Sequence, residues 1–464
     1  MKPAIALPAA LLLLSACTTL EPAYERPSAP VPAAFPQGSA YGPGTPGAVA
    51  AADLPWRAVF LDTRLQGVIE QALANNRDLR IAAANVEQAR ALYRVQRSAQ
   101  LPFVDAGASV TTTRSSDGQG GASAGERYTV DIGVSAFEID LFGRLRSLSA
   151  AALQQFLATE EGARAVRISL IGETANAWLT LAADRELLRI ARATQSAAEQ
   201  SVTLNRQRLQ GGVASQLEVS QAETVFQRAR ADAAAFETQV AQDRNALELL
   251  VGAPVADTQL PDRLEPGLVV ADLPVGIGSE VLLRRPDVLQ AENQLRAANA
   301  NIGAARAAFY PRLSLTGSGG FASTALSSLL TGNAFTYALG PAVGLPIFDG
   351  GANRANLALS QAQRDAAVAQ YERTIQVAFR EVADALARRG TISEQVEATR
   401  SLADAAATGA RLADARYREG IESFLASLEA QRTSYAAQQS LVGAELARQS
   451  NTVTVYRTLG GGLL

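Results

Sequence analysis

The sequence predicts a mainly α-helical protein with a smaller β part, built twice from the same elements. Three observations carry this. Four motifs recur in the same order at a displacement of about 209 residues: "NNRDLRIAAANVEQAR" (75–90) matches "RRPDVLQAENQLRAAN" (284–299), "RSAQLP" (97–102) matches "RAAFYP" (306–311), "IDLFGR" (139–144) matches "LPIFDGG" (345–351), and "RQRLQGGVASQLEVSQAE" (206–223) matches "RYREGIESFLASLEAQR" (416–432). Between the second and third motifs each half carries two runs that alternate apolar and small or polar residues. After them come long stretches, 144–210 with 214–250 and 351–418 with 422–456, that contain no proline.

Composition narrows the function classes. The 464 residues carry a formal charge of -3, so no basic footprint for nucleic acid is present. Histidine is absent and Cys17 is the only cysteine, which removes the usual metal ligands, thiol catalysis in the body and internal disulfides. The carboxylates Asp131, Glu138 and Asp140, and Glu381 with Asp384, have no histidine, zinc motif or nucleophile elbow to make a recognisable site with. Glu381 and Asp384 are expected to pair with Arg380, Arg388 and Arg389. No GxxxxGK[ST] loop occurs. No enzyme activity, metal or soluble cofactor is expected.

The elements follow in order. Lys2 precedes a short apolar run, Ala4 to Leu14, too short to cross a bilayer. With "LSAC" at its end, this resembles a bacterial lipoprotein signal peptide (1–16). The resemblance implies cleavage before Cys17 and a covalent lipid there, S-diacylglycerol on the thiol and an N-acyl chain on the new amino group. Thr18 in place of Asp fits the outer membrane in that signal class. Residues 17–66 form a Pro-, Ala- and Gly-rich extended leader, since proline lacks an amide donor.

The first repeat (67–250) opens with a helix over 67–101, whose Leu65, Ile69, Ala72, Leu79, Ala83, Val86 and Tyr93 share one stripe and which Pro102 ends. Strands follow at 103–113 and 127–138. In the second, Tyr128, Val130, Ile132, Val134 and Ala136 face one way. The helical hairpin 144–250 shows a seam at Val219, Ala222, Phe226, Ala229, Ala233, Phe236, Val240, Asp243, Leu247 and Leu250, stepping by three and four. A linker (251–277) leads to the second repeat (278–456): a helix, strands at 312–320 and 335–345, and the hairpin 351–456. The tail is 457–464. Strands of about ten residues with one apolar face suit a transmembrane barrel, which four strands cannot close alone.

Taken together, "LSAC", "FEIDLFGRLRSLSAAAL", "LLRRPDVLQAENQLRAANANIGAARAAFYPRLSLTGSGG", "AFREVADALARRG", "ARYREGIESFLASLEAQR" and the terminal "LGGG" resemble the outer-membrane factor (TolC-like) family in its lipoprotein, OprM-like and NodT-like branch. The resemblance spans nearly the whole chain. It implies a homotrimer whose chains give four strands each to one twelve-stranded barrel in outer-membrane lipid, a closed structure that leaves no backbone donor unpaired. It implies coiled-coil hairpins that form a periplasmic tunnel, a mixed belt built from leader, linker and tail, and partners in a periplasmic membrane-fusion adaptor and an inner-membrane pump of RND type. The expected function is export of small molecules. A type I protein-secretion duct shares this architecture, and a periplasmic coiled-coil scaffold without a pore is the reading from another class.

The repeated "RQRLQGG" and "RYREG" stretches mark the hairpin tips. The resemblance puts the closed periplasmic aperture there. Tyr417, Ile421, Leu425 and Glu429, spaced by four, are expected on one helical face, with Leu425 as a hydrophobic ring and Glu429 as a cation-attracting ring. Val213, Leu217 and Glu218 hold similar places in the first tip. Ile421 and Leu425 could equally be hairpin core, and Tyr417 a packing residue. Gly211, Gly212, Val213, Ala214 and Ser215, with Gly420, Ile421, Glu422 and Ser423, expose small side chains and backbone on which an adaptor hairpin could dock. Glycine at a turn also needs no more reason than a positive φ.

Overall fold

The computed structural model describes residues 19–41, 54–116, 122–265, 267 and 278–461. The signal peptide, Cys17 and residues 462–464 lie outside the described residues, as does most of the second half of the linker. The chain divides into two compact units. One comprises residues 1–28, 84–161 and 290–372, the other 29–83, 162–289 and 373–464.

After a one-turn helix at Trp56–Val59, the elements run α1 (Thr63–Asn75), α2 (Arg77–Ser98), β1 (Val104–Ser116), β2 (Ala122–Ile139), α3 (Arg144–Gln210), α4 (Gln216–Val251), α5 (Pro286–Ala307), β3 (Arg312–Ser323), β4 (Phe335–Gly344), α6 (Ala352–Arg418) and α7 (Phe424–Thr458). α3 and α6 are each an unbroken helix of 67 residues.

The expected helix over 67–101 is two helices, and Asn76 is the reason. Its Oδ1 accepts from the Leu79 amide at 2.8 Å and so caps α2, while its Nδ2 donates to the Leu250 carbonyl at 2.8 Å. An asparagine at a helix start satisfies a donor that the helix cannot. In the second repeat Arg285 stands at the same joint, before α5. It is buried and forked between Asp287 and Glu381, at 2.7 and 2.8 Å, and donates to the Thr458 carbonyl. Glu381 therefore pairs with Arg285 of another element, while Asp384 meets Arg380 of its own helix at 4.0 Å.

In the first unit the four strands form one antiparallel sheet in the order β1-β2-β3-β4. Its registers put Val104, Ala106, Ala108 and Val110 beside Val134, Ile132, Val130 and Tyr128. The same face continues through Gly317, Gly319 and Phe321 to Leu339, Tyr337 and Phe335. The opposite face carries Asp105, Ser109, Asp131, Ser318 and Thr336 among glycines and alanines. Ala136, expected on the apolar face, sits instead in a bulge at φ +50, where its amide donates to Thr316 Oγ1 at 3.1 Å. The extra residue flips the alternation, so that Phe137 and Ile139 pair with Leu315 and Leu313 and stay on the apolar side.

Also in this unit, the leader lies across α5. Arg26 and Arg296 both bond the buried Glu292, and Arg306 holds the Leu20 carbonyl. Burial pushes the Glu292 carboxyl up, but the hydrogen bonds from Arg26 and Arg296 outweigh it and hold the group below its ordinary range. Gly303 makes room for the leader, since a Cβ there would meet the Glu21 backbone at 2.9 Å. In the second unit the leader continues over α6, where Phe35 stacks on Phe379 and a Cβ on Gly390 would collide with the Ala40 carbonyl.

The second unit holds the hairpins' main core. Trp178 is fully buried and donates to the Gln259 carbonyl at 3.0 Å, and Arg185 reaches the Pro261 carbonyl. The first half of the linker is thus tied to α3. On α4, Val219, Ala222, Ala229, Ala233 and Leu247 are buried, and Phe226, Phe236, Val240, Asp243 and Leu250 are half-buried. Their spacing is the heptad seam.

Candidate functional site: the hairpin tips

Both tips lie in the second unit and share one backbone solution. At the end of α3 the Gly212 amide donates to the Leu209 carbonyl and the Val213 amide to the Arg208 carbonyl, at 3.0 and 2.9 Å. At the end of α6 the Gly420 amide donates to Tyr417 and the Ile421 amide to Arg416, again at 3.0 and 2.9 Å. This is the Schellman closure, which needs a left-handed residue after the helix. Gly212 and Gly420 supply it with φ of +76 and +74. Ser215 and Ser423 then cap α4 and α7, accepting from the amides of Glu218 and Ala426.

The turn leaves four aliphatic side chains in solvent. Val213 and its counterpart Ile421 are 68 % and 65 % exposed; Leu217 and its counterpart Leu425 are 65 % and 54 % exposed. Around them lie Gly211, Gly212, Gly420 and Ser423, also exposed, with Ala214 and Glu422 half-covered. A side chain on Gly212 or Gly420 would meet nothing, so φ alone demands glycine there. Gly211 has no positive φ and would tolerate a Cβ; its counterpart is Glu419.

Two expected gate residues have other employment. Glu218 completes a capping box, its Oε2 accepting from the Ser215 amide at 2.6 Å. Tyr417 is only 4 % exposed and lies in a cluster with Ala198, Val202, Ala222, Val225, Phe424 and Leu428. Its hydroxyl donates to Oδ1 of the buried Asn205. The Arg208 guanidinium lies 4.7 Å above its ring and donates to its carbonyl. Burial pushes the Tyr417 hydroxyl pKa up. Nor do Tyr417, Ile421, Leu425 and Glu429 share a helical face. α6 stops at Arg418 and α7 starts at Phe424, so the step of four crosses the turn. Glu429 is exposed, in an ion pair with Arg432 at 3.1 Å.

The sequence did not reveal the partners Asn205 and Arg208, which join the first hairpin to the second. Nothing in the sequence marked Asn205, which stands among Ser201, Thr203, Arg206, Gln207 and Arg208. Further ion pairs brace each tip, Arg206 with Glu223 at 2.6 Å and Arg416 with Glu422 at 3.1 Å.

A sequence profile described as outer membrane efflux protein matches residues 68–253 and again 277–461, one match on each repeat. The chain is 43 % identical over 467 residues to the toluene efflux pump outer membrane protein TtgC of Pseudomonas putida, covering 99 % of this chain and 96 % of that protein. It is 42 % identical over 473 residues to the outer membrane protein OprJ of Pseudomonas aeruginosa, with the same coverage. The open state of the Neisseria gonorrhoeae MtrE outer membrane channel superposes with a TM-score of 0.88 at 35 % identity, covering 96 % of this chain and 99 % of that one.

Proposed function

The chain belongs to the outer membrane efflux protein family, and from that premise we infer that three copies join their sheets edge to edge into one barrel that conducts small molecules out of the cell. As in the efflux pumps of its relatives, it is the outer-membrane component. The observation that carries the barrel is the sheet itself: an apolar face across the rows from Val104 to Val110, and free edges at β1 and β4. In lipid each unpaired backbone group costs several kcal/mol. Pairing β4 of one copy with β1 of the next removes every edge.

The tips serve two roles in this reading. Val213, Leu217, Ile421 and Leu425 are apolar side chains left in water at the end of a rigid hairpin, and threefold repetition turns them into apolar rings that close by excluding water. Glu429 adds a carboxylate ring beside them. The same small and aliphatic surface accepts the hairpin of a periplasmic adaptor, which connects the channel to an inner-membrane pump of RND type. A lipid on Cys17 adds a second attachment to the outer membrane. Export of small molecules is favoured over protein secretion by the toluene efflux component among the relatives.

Planar-bilayer recording of the purified protein tests the channel. A defined unit conductance is expected, rising in Leu217→Ala with Leu425→Ala and in Glu429→Ala. Absence of any conductance overturns the barrel; unchanged conductance in all variants removes these side chains from the constriction. Drug susceptibility beside secreted-protein levels in a deletion strain separates efflux from secretion.

A further inference from the structure

In the first unit the end of the first repeat meets the start of the second, and the joint has a definite pattern. Each repeat builds its own strand pair alike. The ladder from Val104 opposite Val134 to Thr112 opposite Glu126 recurs, 209 residues on, as Leu313 opposite Val343 to Phe321 opposite Phe335. Between the repeats β2 pairs with β3, with Val130 opposite Phe321 and Val134 opposite Gly317. After the strands, Phe142 stacks on Tyr310 with ring centroids 4.6 Å apart. Then α3 meets α5, where Ala150 and Ala151 pack on Ala297 and Ala300. The joint is thus made at three levels: strand, aromatic turn and helix.

The same unit carries the counterparts of these residues on two other flanks. One is the end of the second repeat: β4, the turn with Phe348, and the start of α6. The other is the start of the first: α2, Leu101 and β1. Phe348 stands for Phe142 and is 91 % exposed; Leu101 stands for Tyr310 and is 68 % exposed. Ala358 and Leu359 stand for Ala150 and Ala151, and Gln88 and Ala91 for Ala297 and Ala300; all four are exposed. Ala151, Ala297 and Ala300 are buried. The residues that seal the joint inside the chain therefore recur, in solvent, along the two edges of the sheet and the helices that follow them.

The leader is not built to cover these flanks. Its seat on α5 needs Gly303, where a Cβ would meet the Glu21 backbone, and Glu292, which takes Arg26. On α2 the corresponding positions are Arg94 and Ala83, a bulky side chain and an uncharged one. The two flanks fit each other instead, because each is half of a joint that the chain has already made once.

With the proposed barrel as premise, we propose that the flank of β4, Phe348 and Leu359 binds the flank of β1, Leu101 and Ala91 on a second copy in the geometry of the joint inside the chain. Carrying each β2 residue forward by 209 and each β3 residue back by 209 sets the register. Leu339 lies opposite Thr112 of the next copy, Pro341 opposite Val110 and Val343 opposite Ala108. The row of Leu339 and Val343 then continues the row of Val110 and Ala108, while Gly340 and Ala342 meet Thr111 and Ser109 on the polar face. A slip of one residue would set the apolar row against the polar one. Phe348 packs on Leu101 of the next copy, and Leu359 on its Ala91. Pro341 has no amide, so β4 brings one donor fewer to its ladders than β2 does.

Oxidative cysteine cross-linking of the purified full-length protein reads this register. Cys17 is the only native cysteine, and Thr112→Cys and Leu339→Cys alone control for it. Opposite residues hold their Cβ atoms about 4.5–5.5 Å apart and diagonal ones about 7–8 Å. Thr112→Cys with Leu339→Cys is therefore expected to give a covalent trimer in a denaturing gel. That product is expected to be lost when Leu339→Cys is combined instead with Val110→Cys or Arg114→Cys. Val130→Cys with Phe321→Cys, the corresponding row inside one chain, shows that such a row oxidises. Phe348→Cys with Leu101→Cys is an independent pair outside the sheet and is expected to join copies as well. A conducting trimer that cross-links best through 110 or 114, or through none of these pairs while 130 with 321 oxidises, overturns the register and leaves the barrel standing. A monomer without conductance overturns both. If the sheet variants do not fold, Phe348→Cys with Leu101→Cys decides, and its failure to join copies overturns the proposed contact.

Discussion

Replacing Tyr417 by Phe distinguishes a side chain that lines a pore from one that fastens two hairpins. The substitution removes one oxygen and nothing else. The ring keeps its place 5.2 Å from Phe424 and 4.7 Å under the Arg208 guanidinium. Asn205, fully buried, loses the donor to its Oδ1 while its Nδ2 keeps the Ser201 carbonyl at 2.9 Å. A buried acceptor left without a donor costs about 1–3 kcal/mol, which amounts to a local opening constant raised roughly five- to 150-fold. Replacing both partners, Tyr417→Phe with Asn205→Leu, removes the orphan and is expected to recover about 1 kcal/mol or more of that loss. Hydrogen exchange of peptides covering 198–210 and 411–430 measures each corner of the cycle. Exchange unchanged in Tyr417→Phe, or two single effects that simply add, refutes the fastening of the hairpins through Tyr417 and Asn205. A rise in channel conductance with unchanged exchange would return Tyr417 to the pore.

Three further outcomes follow from particular contacts. Glu218→Ala removes half of the capping box and is expected to weaken the start of α4 by about 1 kcal/mol without changing conductance; a conductance change alone would give Glu218 back its gating role. Gly390→Ala drives a methyl into the Ala40 carbonyl, so the leader lifts and limited proteolysis within 29–41 accelerates; an unchanged cleavage rate shows that the leader is held elsewhere. Asp105 and Asp131 are acids on the small, polar face of β1 and β2, so Asp105→Asn with Asp131→Asn lowers the cation preference measured by reversal potential, and an unaltered potential places them outside the conducting lumen.

Period and repetition were legible in the sequence because each is written over many residues. The α4 seam appears in the structure at the positions its spacing marked, from Val219 to Leu247. Single-residue events were not legible. Asn76 breaks a helix that an apolar stripe runs straight through, because its side chain satisfies the new helix start and a carbonyl 174 residues away in sequence. Ala136 enters a bulge that strict alternation cannot announce, since by spacing it simply continues the row of Val130, Ile132 and Val134. At the tips, the step of four through Tyr417, Ile421 and Leu425 is a helical spacing, but Gly420 ends the helix within it. Glycine in a left-handed turn outweighs periodicity there.

The two tips invert the usual course of a duplicated structure. Buried positions ordinarily resist change, because packing is felt to a methylene, while exposed ones drift. Here the buried Tyr417, Phe424 and Leu428 correspond to Leu209, Gln216 and Ser220, and the last two are exposed. The first hairpin in turn buries Val202 and Asn205, whose counterparts are Ala410 and Ala413. The copies therefore meet through different faces, each filled to suit the other. The exposed positions did not drift: Val213 with Ile421 and Leu217 with Leu425 remain aliphatic in both. Scattered exposed leucines need no explanation, but the same two positions kept apolar in water on both copies, while the core beneath was rebuilt, are held by something outside the fold of one chain. A gate ring and a docked partner are each made of such contacts. The polar variants Leu217→Ser and Leu425→Ser separate them from a folding role: the tip keeps its exchange protection, while conductance or adaptor capture changes.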